Sequence, residues 1–320
     1  RSHGCKANFV TILTEARGTN HNKVNPPRTW NNVPTLHQLT MAFAKCKSGK
    51  AAGEDNIVAE VLRLNPPVLA RIYHPLYVKV ALRIAEPLQW RGNMISELWK
   101  RKGSQTMCPN YRDIAIGDVV GKVNHRLLRQ RLHKYLAKAA GYHQFAGVGT
   151  DFPAHIVREI IALAERRQMS MLLLFLDIAG AFDSVLRQLT MPGISTDVDI
   201  ARLTRQLGFG PEVMHELAEH LQKPTALEHN VSDQHLLAQL ADVHSHNWFT
   251  TQGVEDPATS ERGSRAGDPL GDLVFEFLHA KISKEVRDSL TEQGLITDVI
   301  LPVAGGFVNG APATKARVKL

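Results

Sequence analysis

The chain has 320 residues, with 38 Lys and Arg against 31 Asp and Glu, a formal net charge of +7. This length can bury a substantial core as one large or two closely packed domains, and the composition is that of an ordinary globular protein. Cys5, Cys46 and Cys108 have no Cys-x-x-Cys spacing, which supports neither a disulfide framework nor a cysteine zinc site and fits a reducing, intracellular setting, the nucleus included. The longest apolar run, near Leu172 to Leu176, is too short to span a bilayer, and the N-terminus has no signal-peptide core, so no membrane partner is expected. A pI of 9.4 favours an anionic partner such as nucleic acid. Because the first residue is Arg rather than Met, the expectation is a fragment or a processed product.

Residues 1 to 34, with Pro26, Pro27 and Pro34 and no sustained periodicity, read as an arm or linker. From Thr35 the spacing of Leu36, Leu39, Met41, Phe43 and Ala44 predicts a helix. Lys45, Lys47 and Lys50 follow in a turn that can touch phosphate or simply be solvated. A second helix is predicted between Val68 and Ala85. Trp90 and Trp99 then bracket a short apolar segment.

The basic turn Lys100-Arg-Lys-Gly leads into Asn110-Tyr-Arg-Asp-Ile-Ala-Ile, and two strands joined by such a loop would carry its cations to a shared surface. Arg112 has the fork that suits a phosphate, with Asp113 as an alternative partner. From Lys122 to Ala140 an amphipathic helix is expected. Val123, Leu127, Leu128, Leu132, Tyr135 and Leu136 face inward, while Lys122, Arg126, Arg129, Lys134 and Lys138 are read as a face that tracks a nucleic-acid backbone or is only solvated. Ile156, Val157, Ile160, Ile161 and Ala164 predict a further helix.

Met169 to Leu176 is apolar at seven of eight positions and ends in Asp177, a pattern that suits a strand buried on both faces. Asp177 then either caps a helix starting at Ile178 or Ala179 or serves as a metal ligand. Between Gly193 and Asn247 the pattern is helical, with Leu203, Leu207, Val213, Leu217 and Leu221 as core. His244 and His246 have the spacing of a metal pair but no evident third ligand. The loop from Gly263 to Pro269 has glycines that permit close backbone approach, followed by Leu270, Leu273, Val274, Phe277 and Leu278 as a buried helix.

In order along the chain, Ser48-Gly-Lys-Ala-Ala-Gly-Glu-Asp-Asn-Ile, Asn110-Tyr-Arg-Asp-Ile, Gln144-Phe-Ala-Gly-Val-Gly-Thr, Leu176-Asp-Ile-Ala-Gly-Ala-Phe-Asp-Ser-Val and Gly263-Ser-Arg-Ala-Gly-Asp-Pro-Leu-Gly-Asp-Leu-Val-Phe together resemble the fingers and palm of reverse transcriptases of non-LTR retrotransposons. The resemblance covers about residues 35 to 287. It implies an α+β fold with an antiparallel sheet and packed helices: a fingers-like region over 35–165 and an incomplete palm over 166–320 without a recognisable thumb. It implies that Asp177 is catalytic and, with the carbonyl of Ile178, binds magnesium. Lys102 and Arg112 would contact the triphosphate of a dNTP, Phe182 would lie under its sugar, and Gly267 would lie along template and incoming base. The partners implied are an RNA template and a DNA primer, and the reaction is two-metal nucleotidyl transfer.

Two departures bear on activity. Ala266 stands where the family has Gln, and the paired aspartates of motif C are missing, since no Asp or Glu follows Asp298. An inactive reverse transcriptase-like domain is therefore expected, with a non-catalytic nucleic-acid-binding protein and a degenerate retroelement fragment as the other readings. Asp183 has the plainer role of capping a following helix.

Overall fold

The computed structural model describes residues 5–6, 26–139, 150–192 except 174, 176 and 179, 210–295 except 252, 253, 255 and 261, 298–302, and 315–319. The glycine-rich stretch expected at 144–149 and the core positions Leu203 and Leu207 lie outside the described residues. Two compact units are present, Arg1–Leu278 and His279–Leu320. The first takes in residues from both the expected fingers and the expected palm.

Helix α1 (Leu36–Ala44) begins with a capping box in which Thr35 Oγ1 accepts from Gln38 N at 3.1 Å and Gln38 Oε1 accepts from Thr35 N at 3.0 Å. It is followed by α2 (Ala59–Leu64) and α3 (Pro66–Arg83), whose two leading prolines occupy positions that need no N–H. Leu39, Phe43, Leu62, Ala70, Tyr77 and Trp90 pack with Val119, Val120, Val123 and Leu127 of the long helix α4 (Val119–Ala139). Farther along α4, Leu128, Leu132 and Leu136 enter a second cluster. Its other members are Met191, the short helix α8 (Ala226–Asn230), α9 (Gln234–Val243) and the first turns of α10 (Gly271–Glu292). The apolar periodicity of α4 is thus shared between two cores, and this one helix ties the halves of the first unit together.

Residues 26–34 are not a free arm. Asn32 is buried and donates from Nδ2 to Asp233 Oδ1 and Oδ2 at 2.8 and 2.7 Å, while Thr29 N donates to His235 Nδ1 at 3.0 Å.

The expected pair of strands joined by a basic loop is present as β2 (Gly92–Trp99) and β3 (Tyr111–Ile116), antiparallel from Met94↔Ile116 to Trp99↔Tyr111. The sheet as a whole departs from the antiparallel expectation. Its order is β1-β5-β4-β2-β3, with β1 (Cys5–Lys6), β4 (Asn247–Thr251) and β5 (Ala258–Ser260), and β4 runs parallel to β2. A parallel pair needs a long crossover, and the helices between residues 99 and 247 supply it.

The largest departure is Met169 to Ile178. Among its described residues none is in a strand, and the run is exposed, with Leu172 at 91% and Phe175 at 80%. Apolar composition does not make a strand unless a neighbour supplies hydrogen-bond partners, and the described sheet is filled by other segments. The preceding helix α5 (Asp151–Arg166) forms as predicted but has no buried residue, whereas α7 (Pro211–Gln222) buries the expected Leu217 and Leu221 and leaves Val213 exposed.

The second unit comprises the remainder of α10 and a two-stranded antiparallel ladder, β6 (Asp298–Pro302) with β7 (Lys315–Lys319), in which Asp298 lies opposite Lys319. Among the described residues no helix is long and apolar enough to cross a membrane.

Candidate nucleic-acid interface

The site is organised by the loop 263–269. Gly263, Arg265 and Gly267 have φ of 86°, 53° and 95°, which turns the backbone sharply between its supports. On one side Gly263 N donates to Val185 O at 2.8 Å and Ser264 N to Phe182 O at 2.9 Å. On the other, Ala115 N in β3 donates to Ala266 O at 3.0 Å, and a Cβ on Gly267 would stand 2.9 Å from Ala115 O. Only glycine combines this φ with that approach. Gly267→Ala is therefore expected to destabilise the fold by about 1–2 kcal/mol from backbone strain alone, read as a lower urea midpoint.

Beneath the loop, buried Arg187 donates to the carbonyls of Gly263 (2.8 Å), Ser260 (2.6 Å), Arg262 (2.9 Å) and His244 (3.1 Å). His125 of α4 contacts Asp268 Oδ2 through Nδ1 at 2.6 Å and Glu86 Oε1 through Nε2 at 2.9 Å. A neutral imidazole donates through one nitrogen only, so a ring with a carboxylate at each nitrogen is a cation. Burial opposes that charge, but Asp268 and Glu86 outweigh it and raise the His125 pKa to about 9. Arg265 Nη2 lies 3.6 Å from Asp268 Oδ2, and Arg91 Nη2 donates to Asp242 Oδ2 at 2.7 Å. The buried cluster therefore sets Glu86, Asp242 and Asp268 against Arg91, His125 and Arg265.

Above this foundation lies a cleft of about 560 Å³ lined by Lys45, Lys47, Arg126, Arg129, Phe182, Arg265 to Pro269 and Asp272. Five cations face two carboxylates, and one of these, Asp268, is already bound to His125. Lys45 and Lys47 are exposed. The contact of Arg126 Nη1 is the thiol of Cys46 at 3.4 Å. Burial pushes that thiol pKa up against the pull of Arg126, so the thiol stays neutral and supplies no counter-charge to the guanidinium. Phe182 stacks at 5.6 Å, in a tilted arrangement, on Phe275 of α10.

The expected residues divide between this cleft and other surfaces. Phe182, Gly267, Arg126 and Arg129 line it. Lys122 precedes Arg126 by one helical turn but is only partly exposed; burial and then nearby Arg126 and Arg265 lower its pKa, against the pull of Asp268 and Asp118. Lys134 and Lys138 are exposed but lie about 120–160° around α4 from Lys122, so the basic helix presents two faces rather than one. Lys102 and Arg112 are exposed on the β2–β3 hairpin and do not line the cleft.

Asp177 and Ile178 are exposed and also outside the cleft lining. Neither capping reading is realised: residues 180–184 form a turn, and the next helix, α6 (Arg187–Thr190), follows Leu186 with no side-chain cap. Asp183 is instead an exposed residue of that turn, its pKa raised by partial desolvation and then by the Asp113 charge, with Arg262 opposing. Among the described residues no group of three or more His, Cys, Asp or Glu is arranged to hold a metal ion. A lone exposed carboxylate and a backbone carbonyl fit a magnesium pair poorly. His244 is buried, and burial, then Arg265 and Arg187, push its pKa down to about 3; its Nδ1 lies 2.9 Å from Leu240 O.

Sequence patterning did not single out His125, Glu86, Arg265, Asp268 or Asp272 as a group. The available signal was the polar pair Asn124-His125 interrupting the apolar stripe of α4 between Val123 and Leu127. No protein-family model matches the chain, and no curated protein matches it.

Proposed function

We propose that the chain is a reverse transcriptase-like domain of fingers-and-palm kind whose basic cleft binds the phosphate backbone of RNA, and that it does not itself perform nucleotidyl transfer. The observation that carries this reading is the convergence on one cleft of Phe182 and the loop 263–269, the two segments resembling palm motifs A and B, with Lys45, Lys47 and Arg126 from the fingers-like region. Side-chain cations over a loop backbone suit a phosphate chain, and an aromatic in the lining suits a sugar or base. The departure at Ala266, together with the isolated position of Asp177, favours binding without catalysis.

The test is binding of a labelled single-stranded RNA across a salt series, paired with a primer-extension assay in magnesium. Affinity should fall linearly on a log–log plot, with a slope near 2 if three phosphates are neutralised, and Asp177→Asn should leave it unchanged. Salt-independent binding would remove the cleft reading. Templated extension that Asp177→Asn abolishes would overturn the inactive assignment.

A further inference from the structure

Arg129 does not face the cleft unengaged. It grips Asp272 in a two-pronged pair, Nη1 to Oδ1 and Nη2 to Oδ2 at 2.8 Å, and Nη1 also donates to Pro269 O at 2.6 Å. The planar fork of a guanidinium recognises two oxygens side by side, and a carboxylate and a phosphate offer it the same pattern. Asp272 therefore holds Arg129 in the posture that a phosphate would use.

The exposure of the pair separates it from a structural bridge. Its side chains are 31% and 53% exposed, so water and ligand reach both partners and the pair adds little to the fold. Arg91 and Asp242, by contrast, are enclosed at 6% and 3%. The other carboxylate of the cleft, Asp268, cannot let go in the same way because His125 and Arg265 hold it from below. When Asp272 releases, the Pro269 carbonyl still fixes the guanidinium at the cleft wall.

Resting on the reading that the cleft binds RNA, we propose that Asp272 is an internal competitor for the phosphate backbone: an incoming RNA phosphate displaces its carboxylate from Arg129, and the strength of this pair sets the affinity of the cleft. The device holds one arginine in reserve and raises the threshold for casual anions.

A double-mutant cycle tests it with the full chain. Wild type, Asp272→Asn, Arg129→Gln and the double variant are titrated with a labelled single-stranded RNA at 100 mM salt, with thermal melts to show that each is folded. Asp272→Asn should tighten binding about fivefold, the value of one added phosphate contact at this salt, and in the Arg129→Gln background the gain should shrink to less than twofold. An equal gain in both backgrounds, or none in either, overturns the proposal while leaving RNA binding intact. Failure of all four proteins to bind RNA overturns the cleft reading and this proposal together. A parallel titration with inorganic tripolyphosphate separates ligand sources: the cycle appearing with tripolyphosphate and not with RNA overturns the backbone assignment.

Discussion

Reversing Lys47 and Arg126 together to glutamate is expected to weaken RNA binding at 50 mM salt by on the order of 10²-fold and to lower the salt slope by about 1.4. These two are the informative pair because neither secures the fold. Lys47 is exposed in the turn after α1, and Arg126 touches the neutral Cys46 thiol. Arg129 and Arg265 are poorer probes, since each is already engaged with a carboxylate, so its removal frees an opposing charge as well as deleting a cation. Fluorescence anisotropy at 50 and 200 mM salt makes the measurement, with Lys134→Glu/Lys138→Glu, about 80° and 120° around α4 from Arg126 and outside the cleft lining, as the comparison. If the comparison variant loses affinity and the cleft variant does not, RNA binds the other basic face.

The second large effect concerns His125. Replacing it with leucine strands Glu86 and Asp268 in the core, and breaking a buried ion pair by removing one partner costs about 3–5 kcal/mol. The wild-type protein carries a matching pH signature. The His125 pKa, raised to about 9 in the fold, lies above its unfolded value of about 6.5. Its contribution is therefore fully present below about pH 6.5 and is lost as pH rises through about 9, a span of about 3 kcal/mol. On the acid side the same interaction, counted once, appears as an Asp268 carboxyl held well below the usual carboxylate range: burial opposes this, and His125 and Arg265 outweigh it. That part of the stability is present above about pH 4 and disappears only in stronger acid. Urea melts at pH 6, 7.5 and 10 should show the alkaline loss in wild type and not in His125→Leu. Adding Glu86→Gln and Asp268→Asn to His125→Leu should recover part of the deficit, because neutral partners remove the stranded charges. A wild-type stability that is flat between pH 6.5 and 10 would contradict a cationic His125.

Much of the local structure was legible in the residues. Helix α1 follows from its apolar spacing from Leu36 to Ala44, and α4 from the repeat Val123, Leu127, Leu128, Leu132 and Leu136, all buried. The hairpin of β2 and β3 follows from two short β-like runs around a basic turn. These signals are local: periodicity and turn chemistry act within a few residues.

The run before Asp177 shows where such signals stop. Its apolar composition pointed to a doubly buried strand, yet the described residues are exposed and outside the sheet. Strand formation depends on a partner that the segment does not itself contain. The charges tell the same story from the other direction. His125, Asp268 and Glu86 looked like scattered polar residues, and only the fold reveals that they share one buried cluster.

The basic charge, the helices with a clear apolar stripe and the glycines at 263 and 267 that permit close backbone approach are all readable from the residues alone. Tertiary structure alone decided which cations meet. It gathered Lys45, Lys47, Arg126, Arg129 and Arg265 around one cleft and left Lys102, Arg112, Lys134 and Lys138 elsewhere. It also assigned Asp272 to Arg129. The physical reason is that periodicity specifies which face of an element is buried, whereas the opposition of charges 143 residues apart depends on how α4 and α10 pack through a core that both share.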